Sequence, residues 1–365
     1  VLDVQRAIRD QLEAQPMAFF AGLEARLDAA RAAVAGFLGA PAAGLAFVTN
    51  ATTAVNAVVR SLRFRPGDQL LVTDHGYNAC SNAVRFAAER AGAELVVAEL
   101  PFPTTGPDQL VDRLLAAVTP RTRFALIDHV TSPTALVLPV ARIARALAGR
   151  GIELMVDGAH APGMLPLDLA ALADAGVGYY AGNLHKWVCA PKGAGFLFVR
   201  EDRRDRVRPV VISHGANAVR DDRSRFLLEF DWVGTADPSA YLAVPAALEL
   251  LASLDDRGWP GLMAANRAAV LTARREVAGI LGVDLPAPDD LIGAMASLPL
   301  PPARDLPDRP GPTDPLQDRL LDEAGIQAMI PVWPAPPRRL LRLSHAAYNH
   351  PDEHRALARA LADRL

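Results

Sequence analysis

Cysteine is nearly absent. Cys80 and Cys189 are the only two in 365 residues. So distant a pair offers no disulfide framework and no metal-ligand spacing, which suits a reducing compartment. Long apolar runs are missing too. No stretch is long enough to cross a bilayer, and no signal peptide is visible. Charge of one sign is nowhere blocked. The net charge is −3, and the arginines are scattered among acids along helices, so neither nucleic acid nor an anionic membrane is an expected partner. An initiator Met is lacking; the chain opens at Val1 inside a helical pattern, and a native segment ahead of it is expected. A cytoplasmic protein is the expectation.

Apolar residues, by contrast, are plentiful. They make up 51% of the chain, enough for a large domain and a smaller one. Residues 2–14 and 17–38 have helical periodicity, with Pro16 between them as a break or first-turn residue. A regular alternation follows. Strands are expected over residues 45–49, 69–73, 94–99, 124–130, 152–156, 177–180 and 195–200. Helices are expected over 54–62, 78–91, 107–118, 140–149 and 167–175. Aliphatic and β-branched strands alternating with helices predict a mostly parallel, doubly wound α/β sheet covered on both faces.

Beyond Arg200 the alternation stops. Residues 213–240 are polar and arginine-rich and read as a long functional loop. Helices are expected at 245–254, 262–281, 316–324 and 352–365. Strands are expected at 292–298, 328–332 and 340–344, and the proline-dense stretch 301–315 reads as an exposed loop. The division predicted is a large α/β domain over 1–244 and a smaller α+β domain over 245–365. No internal repeat is visible.

Ligands of open α/β sheets bind beyond the carboxyl ends of the strands, so those positions carry the functional reading. The first strand runs into Asn50, Ala51, Thr52 and Thr53. That is a helix N-terminus able to hold a phosphate, or an ordinary Thr cap. The second strand is followed by His75 and Tyr77, the fourth by Thr131 and Ser132, the fifth by Asp157 and His160, and the sixth by Asn183, His185 and Lys186. Lys186 stands between Tyr179-Tyr180 and the apolar strand at 195–200, almost without neighbouring charge. A desolvated lysine becomes an amine nucleophile able to form a Schiff base, and an Asp at a strand end suits a pyridinium nitrogen. The same two residues also admit a plainer reading, a snorkelling lysine and a helix-capping aspartate. Phosphate donors, a stacking ring, a hydroxyl, an acid and a lysine at five strand ends are together the inventory for pyridoxal phosphate.

The segments TNATTAVN, TDHGYNA, HVTSPTALVLP, VDGAHAPG, GNLHKW, WVGTADPSA and LLRLSHAAYN, in this order, resemble the class V aminotransferase superfamily of fold type I pyridoxal-phosphate enzymes. The stretches EAQPMAFF, VDGAHAPG, HKW and the YN after RLS are most similar to the isopenicillin N epimerase-like branch, which also holds cysteine desulfhydrases. The resemblance implies that Lys186 carries the cofactor and moves the substrate α-proton, that Asp157 pairs with the pyridinium nitrogen, and that His160 approaches the phenolic oxygen. Tyr77 would stack on the ring, with His75 as the competing assignment, and Ser132 would lie near the phenolic oxygen. Thr52 with the Ala51 and Thr53 amides would hold the phosphate, helped by Asn183 and His185. Gly234 and Thr235 would reach the phosphate of the partner subunit in a homodimer with shared sites. Arg342 would bind the substrate α-carboxylate through a guanidinium fork.

What is implied is an enzyme that forms an external aldimine with an amino acid and removes its α-proton, as an epimerase. A carbon–sulfur β-lyase or an aminotransferase is the alternative, and a non-catalytic binding protein is least favoured. Between Gly325 and Arg342 there is no cysteine, which argues against a persulfide-forming desulfurase. Cys80 and Cys189 read as packed small residues. Arg220, Arg223, Arg225 and His214 could meet an acidic substrate tail or line a solvated loop.

Overall fold

The computed structural model describes residues 1–303 and 314–365. Three helices lead: α1 (Leu2–Ala14), α2 (Pro16–Ala21) and α3 (Leu23–Leu38). The alternation then runs β1 (Leu45–Val48), α4 (Ala51–Ser61), β2 (Gln69–Thr73), α5 (Asn78–Ala91), β3 (Glu94–Ala98), α6 (Pro107–Ala116) and β4 (Thr122–Asp128). It continues through α7 (Val140–Ala148), β5 (Glu153–Gly158), α8 (Leu169–Asp174), β6 (Val177–Asn183) and β7 (Gly195–Val199). The seven strands pair in the order β1-β7-β6-β5-β4-β2-β3. The pairs β2–β3, β2–β4, β4–β5 and β5–β6 are parallel, and β7 is antiparallel to both its neighbours. The expected α/β class therefore holds.

Both faces of the sheet are dry, and the period of two decides which residue feeds which face. Leu71, Ala125, Ile127, Leu154, Val156 and Tyr180 point into one core. Leu70, Val72, Phe124, Leu126, Met155 and Tyr179 point into the other. Gly158 and Gly182 make room at the carboxyl ends. A Cβ at Gly158 would come 2.2 Å from the Tyr180 ring, and one at Gly182 would come 2.3 Å from Phe196.

After β7 come α9 (Arg225–Phe230), α10 (Ser239–Leu242), α11 (Val244–Ala252) and the long α12 (Trp259–Leu281). Then follow β8 (Met295–Leu300), α13 (Pro315–Ala324), β9 (Arg339–Ser344) and α14 (Pro351–Ala362). Strands β8 and β9 form a separate antiparallel pair, backed by a core that includes Val277, Leu298, Leu320, Leu341 and Leu361.

Three expectations are corrected. Residues 213–240 are not loop throughout, since Ser224 Oγ accepts the Leu227 amide and starts α9. A six-residue helix is too short to show a period. Residues 328–332 form no strand; Met329 and Val332 make isolated bridges to Arg342 and Arg339, because Pro331 removes an amide between them. The strand expected at 292–298 lies at Met295–Leu300. Of the expected loop 301–315, residues 304–313 lie outside the described residues.

The arginines of the 213–240 segment serve the fold. Arg223 pairs with Asp28 of α3 and with Asp231, and Arg31 of α3 pairs with the same two acids. Arg31, Arg223 and Asp231 are each at least nine-tenths buried as side chains. Removing one member of such a set strands buried charge. Asp231→Ala is expected to cost about 3 kcal/mol in urea unfolding, against a change below about 0.5 kcal/mol for the exposed Asp222→Ala.

Candidate active site

Strands β4, β5 and β6 bring Asp128, Asp157 and Asn183 to one rim of the sheet. Asp128 is directly paired with Asp157. The segment joining β6 to β7 folds back on itself through Leu184 N–H to Ala194 O (2.9 Å) and Ala190 N–H to Leu184 O (3.0 Å). This return holds Lys186 over the same rim.

Lys186 Nζ lies 3.0 Å from His160 Nε2. Burial lowers the lysine pKa, partly offset by the Asp157 charge. Burial first, then the Lys186 and Arg342 charges, drives the His160 pKa well down, so its imidazole is neutral. Asp157 is 2% exposed; its Oδ1 accepts the Ala159 amide at 3.0 Å, while its Oδ2 has no partner among the described residues. An orphaned buried carboxylate oxygen costs about 1–3 kcal/mol, a penalty that a protonated ring nitrogen placed there would remove. His160 Nδ1 and Arg342 Nε are likewise buried without partners. These unsatisfied atoms fit a polar cofactor with an acidic N–H, a phenolic oxygen and a carboxylate-bearing substrate. Among the described residues no cluster of three or more His, Cys, Asp or Glu could hold a metal.

The phosphate end differs from the expectation. The Ala51 amide donates to Asn183 Oδ1 at 2.8 Å, and the Thr53 amide to Asn50 Oδ1 at 2.9 Å. Both are spent on holding α4 to β6 and capping it, so neither is free for a phosphate. The Thr52 amide has no protein partner among the described residues. The close approach that puts it there needs Gly195, where a Cβ would fall 2.8 Å from Asn50 Cα. His185 Nδ1 lies 3.0 Å from Ala194 O, which leaves its other ring nitrogen available.

Arg342 sits on β9, and its Nη1 donates to Ser132 O (2.8 Å) and Ser132 Oγ (3.2 Å). Ser132 thus acts first on the arginine rather than on a phenolic oxygen. Ser297 Oγ donates to Pro133 O at 2.8 Å, docking β8 on the same loop. Lys186, His160, His185, Trp187, Arg342 and Tyr348 line a single cavity of about 790 Å³.

Other expected residues fall elsewhere. His75 is fully buried, bonded to Thr134 Oγ1 at 2.6 Å and packed edge-on to Trp333. It is a core residue. Tyr77, at the start of α5, is half exposed and is not among the residues that line the Lys186 cavity. Gly234 and Thr235 do not enter the Lys186 cavity; Gly234 lines a neighbouring apolar hollow with Thr49, Thr53 and Trp232. Arg220 is paired with Glu24 and Asp222, Arg223 with Asp28 and Asp231, and Arg225 with Glu229. These guanidiniums are taken, and neither they nor His214 line the Lys186 cavity.

One group escaped the sequence reading. Asp128 is buried beside Asp157; burial and that neighbouring charge push its carboxyl well above the ordinary range. The Tyr77 backbone partly opposes that rise, which sets the tyrosine turn beside the strand end. An acid inside the apolar run FALIDHV was the available signal. Cys80 is buried against Asp157 and Thr52, where burial pushes its thiol up and leaves it inert.

The aminotransferase class-V family model matches residues 17–256. Isopenicillin N epimerase of Amycolatopsis lactamdurans is 36% identical, covering 98% of this chain and 89% of its own. Putative L-cysteine desulfhydrase 1 of Oryza sativa subsp. japonica is 31% identical, covering 82% of this chain and 64% of its own. Among solved structures, a mutant of C-DES with glycine covalently linked to its PLP cofactor superposes with a TM-score of 0.82 at 23% identity, over 99% of this chain and 92% of that one. That likeness shows the shared fold type I architecture. The matched length, the full-length relatives and the lysine-bearing strand ends together place this chain in the aminotransferase class-V family.

Proposed function

We propose that this protein is a pyridoxal-phosphate enzyme that removes the α-proton of an amino acid and returns it on the opposite face, as an epimerase. The observation that carries this is a buried lysine and an arginine with an unpartnered Nε lining one cavity, with the orphaned Asp157 Oδ2 acting on that lysine from the adjoining strand end. Bound there, the cofactor supplies an electron sink for the charge left at Cα. Asp157 holds the ring nitrogen protonated. The Thr52 amide, Thr52 hydroxyl and His185 would hold the phosphate, with Asn183 fixing the α4 terminus through the Ala51 amide. His160, kept neutral, bonds to the phenolic oxygen or to the lysine. Lys186 takes the proton on its face, and Tyr77 is the second proton carrier.

Similarity to two kinds of relative, epimerases and cysteine desulfhydrases, keeps β-elimination as the second reading. Both readings share every residue named, and they part only after the proton leaves. We further infer a division at 244/245; the separate core behind β8 and β9 supports a second domain, with Ala247, Leu248 and Val270 packed in the core of the sheet. A cytoplasmic homodimer completes the reading, supported by the exposed run Val210, Val211 and Ile212 and by Val233 next to Gly234. In it, Gly234 and Thr235 serve the partner's phosphate. Among the described residues no helix is long and apolar enough to cross a membrane.

Purified protein with added cofactor is expected to show an absorption band at the visible edge that borohydride abolishes. Incubation with L-amino acids in deuterated water then sorts the reactions. Deuterium at Cα with racemisation supports the epimerase. Pyruvate with sulfide from cysteine selects the lyase, and a pyridoxamine spectrum selects transamination. A protein that stays colourless with added cofactor overturns the scheme.

A further inference from the structure

Only two of the 38 lysines and arginines are lysine, Lys186 and Lys192. Both line the same cavity. Everywhere else the chain meets its need for positive charge with arginine. A lysine differs from arginine in presenting a compact, strongly hydrated point charge on a flexible stem, suited to a carboxylate approaching from varied directions. Lys192 makes no ion pair and no hydrogen bond among the described residues, although the loop and helix arginines around the molecule are mostly paired.

The cavity is one-sided in charge. Lys186, Lys192 and Arg342 line it with His160 and His185, and no Asp or Glu does. In the proposed reaction Lys186 is the covalent anchor and Arg342 takes the α-carboxylate. That leaves one cation unassigned, at the mouth, between the site and the apolar hollow it also lines. Leu2, Trp187 and Tyr348 give the remaining wall an apolar surface along which a side chain could lie. Lys192 acts on its surroundings from there: burial chiefly lowers the His185 pKa and the Lys192 charge adds to that, while burial raises the Cys189 thiol and the same charge opposes it.

We propose that Lys192 is a specificity-determining residue that reads a second anionic group, at the far end of the substrate side chain. The substrate class is an α-amino acid whose tail ends in a carboxylate. This rests on the amino-acid reading above. Because Lys192 is solvent-exposed at the rim, the preference is moderate and falls with added salt.

The test titrates cofactor-loaded protein with matched pairs, L-glutamate against L-glutamine and S-(2-carboxyethyl)-L-cysteine against its amide, following the shift of the cofactor band. In at least one pair the acid is expected to bind about tenfold tighter than the amide. In Lys192→Gln the two should agree within about twofold, while Lys192→Arg keeps most of the preference. Equal affinities in both pairs, or a preference that survives Lys192→Gln, overturn the proposal. So does Lys192→Gln losing cofactor on dialysis with the substrate ratio intact, which would assign the lysine to the phosphate. L-Alanine, which has no tail, separates the two levels. If it fails to shift the band in the unaltered protein, the amino-acid reading falls and Lys192 with it. If it shifts the band and no acid is preferred, only Lys192 falls.

Discussion

Lys186→Ala is expected to lower turnover by about 10⁴-fold and to leave no borohydride-reducible attachment between protein and cofactor. The reason lies in where the amine stands. Its pKa is lowered mainly by burial, so more of it is the free amine that attacks a carbonyl. Among the described residues its one hydrogen-bond partner is the neutral His160, at 3.0 Å. Lys192, the chain's other lysine, lies out at the mouth. Circular dichroism should not change, since the lost side chain points into a cavity rather than a core. Cofactor binding should weaken without vanishing, because Asp157 and the Thr52 terminus remain. Mass spectrometry after borohydride reads the result directly. A cofactor still bound covalently in Lys186→Ala would show that another residue is the anchor.

The sheet and the rim of the site were legible because both follow from local pattern. Apolar runs of strand length alternate with amphipathic helices, and the residues just after each run are fixed relative to it. Asp157, Lys186 and Tyr77 were singled out that way, whereas Arg342, inside β9, came only from the resemblance. The contacts that complete the site join residues far apart in the chain, and no local period encodes them. Asn183 spends itself on the Ala51 amide 132 residues away, and Ser132 holds Arg342 across 210 residues. The same holds for Arg223, whose partner Asp28 lies 195 residues back on α3. Its loop looked like a substrate contact because the acids that occupy it were invisible from the loop. Asp128 was hidden differently: it ended a strand two positions earlier than the apolar run suggested, and so it was read as interior.

Arg342→Lys is expected to raise KM for the amino acid about 100-fold, the loss of a charged hydrogen-bond pair worth about 2–3 kcal/mol, and to lower kcat as well. A guanidinium can hold two partners at once. Here Nη1 is committed to Ser132, through O at 2.8 Å and Oγ at 3.2 Å, which fixes the plane of the group. Nε is buried with nothing to bond, and it marks the edge a carboxylate would meet in two parallel bonds. Burial also lowers the arginine's pKa, a sign that its charge waits uncompensated for an anion. An ammonium keeps the charge but has neither the fork nor the second anchoring edge, so the α-carboxylate is held without a fixed orientation. A Cα–H bond that is not held across the ring plane is lost less often per encounter, and that is the fall in kcat. Ser132→Ala separates the two effects. It removes only the longer of the two anchoring bonds and leaves the carbonyl, so KM should rise no more than about fivefold, one lost bond of roughly 1 kcal/mol. If Arg342→Lys left KM unchanged while Ser132→Ala raised it, the carboxylate would lie against the Ser132 loop, and Arg342 would be only its support.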